Sequence, residues 1–292
     1  MTTRSNREPG GRPDLEAGDG SAVEPGSGSG LRGGSGSWLG AGGGSGLAAS
    51  SRSGRRVAVV RHAETIGLGN LGPVLEARGY GIDVVEVLES HTAGEVSAAL
   101  EGAAGADLVI VLGSTAGVYE TDRHAFIEPE IAFVRQRIAA ERPTLGVCFG
   151  AQLIAAALGG EVRPGPAPEV GYRLVTPTGA GLASPVRHVA GTPMAQWHGD
   201  TFELPAAATL LASSEAYENQ AFGIGRWLLA VQFHPELTDA MHEQWVVSDA
   251  AYLERHGIDP ATLRTERAQH GAALQEASAR LLGEYLDGLA AR

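Results

Sequence analysis

Short, continuous apolar runs in the first half of the chain predict strands, the first of them buried. Four of these runs, VAVVRH, IDVVEVLE, DLVIVLG and PTLGVC, begin at residues 57, 82, 107 and 143. Apolar residues at helical spacing stand between them, as Ile131, Val134 and Ile138 do in PEIAFVRQRIAAER. Strands that alternate with helices in this way are typical of a mostly parallel sheet with helices on both faces. We therefore predict a single α/β domain.

The pattern changes after about residue 162. Segments such as MAQWHGDTFELP, ATLLASSE and WLLAVQFHPE are short, strand-like and separated by turn residues. Residues 238–256 and 260–290 then predict two closing helices, with GIDPAT as the break between them. We expect residues 54–245 to form the α/β domain and residues 246–292 to form a helical extension packed on it.

The beginning of the chain differs in composition from the rest, because it is rich in Gly and Ser and poor in apolar residues. Such a segment has too little apolar surface to offset the entropy of ordering it, which predicts a disordered tail over residues 1–53. The tail lacks a charged start followed by an apolar run, so we expect no signal peptide.

Charge, apolar run length and cysteine content exclude several function classes. The net charge of −12 argues against nucleic acid as a partner. No apolar run reaches the length of about 18 residues that a membrane span requires, so we expect no membrane association. The single cysteine excludes an internal disulfide framework and indicates a reducing, cytoplasmic compartment.

That cysteine, Cys148, stands in GVCFGAQ, where a predicted strand meets a predicted helix. A helix N-terminus favours a thiolate, and Gly146 and Gly150 allow the close packing that a tight elbow requires and that holds the thiol exposed. The same turn would aim the N–H of Phe149 at a developing oxyanion. On this motif alone, a structural cysteine buried at a tight turn is an equally good interpretation.

A base for this thiol is available in VQFHPE, where His234 follows an apolar run and Glu236 lies two residues further on. Pro235 keeps His234 out of helical conformation, so the carboxylate can fold back on the imidazole. A lone His-x-Glu is usually ordinary surface polarity. Together with the elbow, however, it supplies a nucleophile, a base and a group that orients the base.

GVCFGAQ followed later by HPE resembles the class I, triad-type glutamine amidotransferases, over roughly residues 56–245. The resemblance is strongest to the branch similar to the glutaminase domain of GMP synthase. VLGSTAGVYE, EVGYRLV and QWHGD fall in the order expected of that family. The resemblance implies a flavodoxin-like open sheet flanked by helices, and it implies no cofactor.

The resemblance also implies a role for each matching residue. Cys148 would attack the glutamine side-chain amide to form a γ-glutamyl thioester, with His234 as general base and then acid, oriented by Glu236. Oxyanion contacts would come from the backbone of Gly113, Ser114 and Phe149. The residues implied to hold the substrate are Gln152, Trp197, His198 and Gly199. Water would release glutamate, and ammonia would pass to a separate synthetase partner or be lost.

One block departs from the family pattern. Relatives usually have a second glycine and a proline where LGSTAG has Ser114 and Thr115. Serine cannot adopt every φ that glycine can, which puts the conformation of this loop and the reaction rate in question. His188 and His198 have no third partner at metal-ligand spacing, so we expect no metal site.

Three functions remain open at this stage. The first is glutamine hydrolysis, and the second is hydrolysis of a γ-glutamyl peptide by the same triad. Residues 114–127 and 163–173 are the expected walls of the leaving-group side, where these two would differ. The third is a non-catalytic binding module on the same fold, which the presence of all three triad members disfavours.

Overall fold

The computed structural model describes residues 54–291, and these belong to one compact unit. The predicted tail over residues 1–53 lies outside the described residues. The first half alternates strands and helices as the apolar pattern predicts. Its strands are β1 (Arg56–Arg61), β2 (Gly81–Glu86), β3 (Leu108–Val111) and β4 (Thr144–Val147). Its helices are α1 (Gly72–Ala77), α2 (Ala93–Ala103), α3 (Ile127–Ala139) and α4 (Phe149–Ala157).

The second half contains shorter and more irregular strands. They are β5 (Val162–Leu174), β6 (Thr176–Pro177), β7 (Pro193–Phe202), β8 (Thr209–Ser213), β9 (Ala221–Ile224) and β10 (Leu228–Val231). The helices are α5 (Gly179–Leu182), α6 (Asp239–Ser248), α7 (Ala250–Arg255) and α8 (Pro260–Ala290). Two 3-10 turns cover Gly69–Leu71 and Pro185–Val189.

The segment predicted as one helix over 238–256 is two helices, α6 and α7. The chain bends at Asp249, which ends α6 and whose carboxylate accepts a hydrogen bond of 2.8 Å from the indole N–H of Trp197. The predicted boundary between the α/β domain and the helical extension, between residues 245 and 246, falls inside helix α6. The helical segment at the end of the chain begins earlier, at Asp239. Helix α8 follows the pattern over 260–290, with Asp259 accepting from the N–H of Ala261 at its start.

Eight strands form the main sheet of the described residues, in the order β2-β1-β3-β4-β10-β9-β8-β6. The first five strands in this order are parallel, and β9, β8 and β6 add antiparallel pairs at one side. Strands β5 and β7 form a separate antiparallel ribbon. A mostly parallel sheet flanked by helices confirms the predicted α/β fold.

Two apolar layers cover the two faces of the sheet. Along β1, Val57 and Val59 pack in one layer and Ala58 and Val60 in the other, as the period of two in a strand requires. The first layer includes apolar residues of α1 and α8, and the second those of α2, α3 and α4. The hydroxyl of Tyr285 in α8 hydrogen-bonds to the backbone carbonyls of Thr144, the first residue of β4, and of Trp227, just before β10. Across residues 54–291, no helix combines the length and apolarity that crossing a membrane would need.

Candidate active site

The C-terminal ends of four neighbouring parallel strands lie side by side, and each strand leads into a residue with reactive or polar atoms. His62 follows β1, Gly113 lies just beyond β3, Cys148 follows β4, and His234 lies just beyond β10. Because these strands are adjacent in the order β1-β3-β4-β10, the four positions meet. The N–H of Cys148 donates to the carbonyl of Val231 at 2.8 Å, which ties the β4 end to the β10 end.

Cys148 sits on a strained elbow. Its backbone has φ 51° and ψ −106°, and helix α4 begins at the next residue. Positive φ is uncommon outside glycine and is often found where a functional side chain must be held in place. The two flanking glycines are required by packing, since a Cβ on Gly146 would overlap the carbonyl of Gly150, and a Cβ on Gly150 would overlap the carbonyl of Val111.

The thiol is more buried than the elbow pattern led us to expect. Cys148 is only 6% exposed, although it lines a cavity that opens to solvent. The expectation of an exposed thiol was wrong because β10 and the loop after β3 flank the elbow on both sides. The sulfur is therefore reached through the cavity, from one direction.

His234 and Glu236 form a buried pair. The Nδ1 atom of His234 lies 2.6 Å from Oε1 of Glu236, and both side chains are almost fully buried. Burial alone would lower the pKa of His234, but the charge of Glu236 and the proximity of Cys148 outweigh it and raise the pKa above its ordinary value. Among the described residues, His234 Nε2 has no hydrogen-bond partner of ordinary geometry.

The loop that carries Glu236 is held by Asn70. The carbonyl of Glu236 accepts a hydrogen bond of 2.9 Å from the N–H of Asn70, and the Asn70 side chain donates to the carbonyl of Leu237 at 2.8 Å. The ring of Trp245 packs edge-on against His234, with 4.9 Å between ring centroids. These contacts hold the imidazole between a carboxylate on one side and an aromatic wall on another.

Two hydrogen-bonded glutamine side chains, Gln232 and Gln152, lie beside the thiol. Gln232 Nε2 is 3.5 Å from the sulfur of Cys148, and Gln152 Nε2 donates to Gln232 Oε1 at 3.1 Å. Gln152 is predicted to hold the substrate, and it lies one helical turn after Cys148 and lines the same cavity. Its amide is buried and already bonded to Gln232, so it forms part of the cavity floor.

The loop after β3 lies against the thiol and the imidazole. A Cβ built on Gly113 would stand 3.5 Å from Cε1 of His234 and 3.9 Å from Cβ of Cys148. Ser114 has no positive φ, since Glu141 and Cys148 are the non-glycine residues of the described chain that do. Serine therefore occupies this position without a positive φ, so the backbone conformation of the loop does not require the missing glycine.

The ring and the backbone N–H of Phe149 have different roles at the elbow. Its ring points away from the thiol and packs edge-on against His62, with 4.9 Å between centroids. Its N–H belongs to the first turn of α4, where backbone donors have no partner within the helix. The side chain therefore anchors the elbow, while the backbone is the part available for chemistry.

A cavity of about 620 Å³ opens above Cys148. The two predicted walls both contribute to it, through residues 114–120 on one side and 165–168 on the other. Tyr119 joins the first wall to strand β7, because its phenol donates to Asp200 Oδ1 at 3.3 Å. The predicted site residues that line this cavity are Ser114, Cys148, Gln152, Trp197, His198 and Gly199.

His198 is held by one partner on β5 and one on its own strand, β7. His198 lies opposite Glu169 in the β5–β7 ribbon, with 3.1 Å between His198 Nε2 and Glu169 Oε2 and 3.0 Å between its Nδ1 and the carbonyl of Asp200. His188 instead pairs with Glu284. In the part of the chain that the structure describes, no three His, Cys, Asp or Glu side chains are grouped to hold a metal.

Sequence reasoning missed Gln232, Trp245 and the buried pair of His62 and Glu130. Gln232 has a readable signal, because it is a polar residue at the end of an apolar strand and two residues before His234, hence on the same face. Trp245 and Glu130 look like ordinary positions on amphipathic helices. Their partners lie far away in the chain, so pattern alone does not reveal them.

Comparison with protein-family models gives a match to "Glutamine amidotransferase class-I" over residues 70–252. Among curated proteins, the glutamine amidotransferase-like protein YfeJ of Salmonella typhimurium is 37% identical over 107 residues, which cover 36% of this chain. The γ-glutamyl-L-1-hydroxyisopropylamide hydrolase of a Pseudomonas species is 28% identical over 193 residues, covering 62% of this chain and 64% of the hydrolase.

The match spans 45% of YfeJ and 24% of the similar GMP synthase from Neisseria meningitidis, so the chain spans less than half the length of these relatives. Among solved structures, a glutamine amidotransferase from Thermotoga maritima superposes with a TM-score of 0.67 at 28% identity. That superposition covers 80% of this chain and 98% of the other.

Proposed function

The chain belongs to the class I glutamine amidotransferase family, and we propose that it hydrolyses the side-chain amide of glutamine through a thioester on Cys148. The observation that carries this proposal is the meeting of Cys148 and the His234–Glu236 pair at the ends of the adjacent strands β4 and β10, with Cys148 lining the cavity. A structural cysteine would need neither a strained elbow nor a buried base beside it.

The first half-reaction follows from these positions. A protonated His234 pairs with the thiolate of Cys148, whose sulfur attacks the carbonyl carbon of the substrate's side-chain amide. The carbonyl electrons move onto oxygen and return as the C–N bond breaks. His234 gives its proton to the departing ammonia, and Glu236 keeps the imidazole in the orientation that this transfer needs.

The second half-reaction returns the enzyme to its starting state. Water attacks the γ-glutamyl thioester, His234 takes a proton from it, and glutamate leaves as the C–S bond breaks. In both halves the oxyanion would be stabilised by backbone N–H groups of Ser114 and Phe149, which flank the thiol. Gln152, Trp197, His198 and Gly199 would hold the substrate.

A second candidate is hydrolysis of another γ-glutamyl amide with a larger leaving group. The observation in its favour is the likeness to the Pseudomonas γ-glutamyl amide hydrolase, which extends over more of this chain than the likeness to YfeJ. The same residues would carry out the chemistry, since both substrates present a γ-glutamyl carbonyl. The two differ in what occupies the cavity between residues 114–120 and 165–168.

Product assays test both candidates. Purified protein would be given glutamine, γ-glutamyl peptides and γ-glutamyl alkylamides, and glutamate release would be followed for each, with ammonia release for glutamine. We expect turnover that is lost in Cys148→Ser. The highest kcat/KM on glutamine would favour the amidotransferase function, and the highest on an alkylamide or peptide would favour the hydrolase. No turnover of any γ-glutamyl compound would overturn both.

The proposed chemistry needs no cofactor, because the nucleophile, base and backbone donors all belong to the chain. Ammonia would pass to a separate synthetase chain or be released to solvent. We also propose a cytoplasmic location, since a lone catalytic thiol must stay reduced. Nucleic acid and membrane partners remain unexpected on the charge and pattern of the sequence.

A further inference from the structure

A second histidine–carboxylate pair lies at the same C-terminal ends of the parallel strands and has no part in the chemistry described above. His62 Nε2 lies 3.0 Å from Oε1 and 3.2 Å from Oε2 of Glu130, and His62 Nδ1 lies 2.8 Å from the carbonyl oxygen of Gly113. His62 is 9% exposed and Glu130 1% exposed. A buried pair of this kind is costly unless its hydrogen bonds are complete, and here both ring nitrogens are used.

The carbonyl of Gly113 fixes which nitrogen carries a proton. A carbonyl oxygen can only accept, so Nδ1 of His62 must be the donor whatever the charge of the ring. Burial alone would lower the pKa of His62, but the charge and hydrogen bond of Glu130 and the bond to Gly113 outweigh it and raise the pKa above its ordinary value. The Nδ1–H of His62, with the ring held on its other side by Glu130, therefore holds the Gly113 carbonyl.

Holding that carbonyl also sets the direction of the next N–H. The described chain contains no cis peptide bond, and in a trans peptide the C=O of one residue and the N–H of the next point in opposite directions. The N–H of Ser114 must therefore point away from His62. Within residues 54–291, this N–H donates to no protein acceptor.

The direction away from His62 is the direction of the thiol. His62 packs against the rings of Phe126 and Phe149, which belong to the core layer on the α2–α4 side of the sheet. Cys148 belongs to the layer on the opposite side, and Gly113 faces it. Ser114 lines the cavity together with Cys148.

We propose that His62, held by Glu130, is a positioning residue that locks the Gly113–Ser114 peptide with its N–H toward the oxyanion formed at Cys148. This inference rests on the proposed function and adds the group that preorganises its oxyanion site. The lock is needed because Gly113 has no Cβ, so the peptide after it can rotate at little steric cost. A rotated peptide would present a carbonyl oxygen to the oxyanion, which repels it.

Two substitutions of His62 separate this role from a purely structural one. Asn places an N–H donor near the position of the histidine Nδ1, so His62→Asn keeps the bond to Gly113 and loses the bond to Glu130. Gln reaches the position of Nε2, so His62→Gln keeps Glu130 satisfied and loses Gly113. The double variant His62→Asn with Glu130→Gln removes the carboxylate that His62→Asn leaves unpaired, in case that variant does not fold.

The experiment measures kcat and KM for the best γ-glutamyl substrate, the melting temperature, and the rate of Cys148 alkylation by iodoacetamide, which forms no oxyanion. We expect His62→Gln to lose about 100-fold or more in kcat, as removal of one oxyanion donor does elsewhere, with KM and alkylation rate little changed. His62→Asn, or its double variant, should stay within about tenfold of the wild type in kcat even if it melts at lower temperature.

His62→Gln should therefore be the more stable variant and the less active one. A purely structural role would instead make the less stable variant, His62→Asn, the less active one as well. Equal kcat losses in both variants, or a larger loss in His62→Asn, would overturn the proposal. Crystal structures supply a readout independent of turnover, since the Gly113 carbonyl should rotate in His62→Gln and an unmoved carbonyl would also overturn it. A wild type that hydrolyses no γ-glutamyl amide would overturn the proposed function instead, and the crystal structures would then decide whether the lock exists.

Discussion

Replacing Glu236 by Gln removes the charge that supports His234 while keeping the shape of the side chain. Glu236 is fully buried, and its Oε1 lies 2.6 Å from Nδ1 of His234. The amide oxygen of Gln can still accept from that nitrogen, so the tautomer is preserved. Because the carbonyl of residue 236 remains bonded to the N–H of Asn70, the backbone of the loop should not move.

The loss can be sized from the hydrogen bond that is weakened. Bonds to charged groups contribute about 1.5–3 kcal/mol, which corresponds to about 10- to 150-fold in kcat if the charge acts mainly in the transition state. Glu236→Gln should therefore be slow but active. His234→Ala removes the proton carrier itself and should leave no measurable turnover.

The pH profile gives a second measure of the same charge. The protonated form of His234 exists below its raised pKa and is lost as pH rises through that value. Without the charge of Glu236 the pKa of His234 falls, so the alkaline limb of kcat/KM should move to lower pH. The assay is steady-state hydrolysis from acid to alkaline pH, with a thermal melt of each variant as the folding control.

Two results would show that the charge of Glu236 does not support His234 in this way. One is a loss in Glu236→Gln as complete as that in His234→Ala, with both variants folded. The other is an alkaline limb that stays in place although kcat falls, because the carboxylate would then act without supporting the imidazolium.

Gly150→Ala should abolish folding or destabilise the protein severely, because its Cβ would overlap the carbonyl of Val111, whereas Gly94→Ala in α2 meets nothing and should melt at or slightly above the wild-type temperature. A Gly150→Ala protein with wild-type melting and activity would contradict the elbow geometry. Leu281→Ala should lower the free energy of unfolding by about 2–5 kcal/mol in a denaturant titration, because the side chain is buried in the layer around α8. The control Leu182→Ala, at a side chain 57% exposed, should change it little, and equal losses in the two would show that α8 does not contribute to the core.

Much of the fold could be predicted from the sequence because four of the five parallel strands, β1, β3, β4 and β10, are buried along all or most of their length. Such strands have continuous apolar runs, and the edge strand β2, although more exposed, still carries the β-branched run that predicts a strand. The elbow is predictable for a related reason, since the spacing of Gly146, Cys148 and Gly150 is imposed by contacts within one strand–helix unit. A feature that is fixed by contacts within one segment leaves a pattern in the sequence of that segment.

Features that depend on distant partners could not be predicted. His62 and Glu130 are 68 residues apart, and the bend at Asp249 is fixed by Trp197, which is 52 residues away. The burial of Cys148 has the same origin, because β10 and the loop after β3 cover the elbow only once the sheet has formed. None of these contacts changes the period of apolar residues along its own segment.

Labelling with diazo-oxo-norleucine tests whether Cys148 attacks a γ-glutamyl carbonyl. This glutamine-like electrophile would be incubated with wild type and with Cys148→Ser, followed by peptide mass spectrometry and a turnover assay. We predict one adduct, on Cys148, formed in step with loss of turnover and slowed by excess substrate. An unmodified Cys148 in an active protein, or full activity in Cys148→Ser, would show that Cys148 is not the nucleophile.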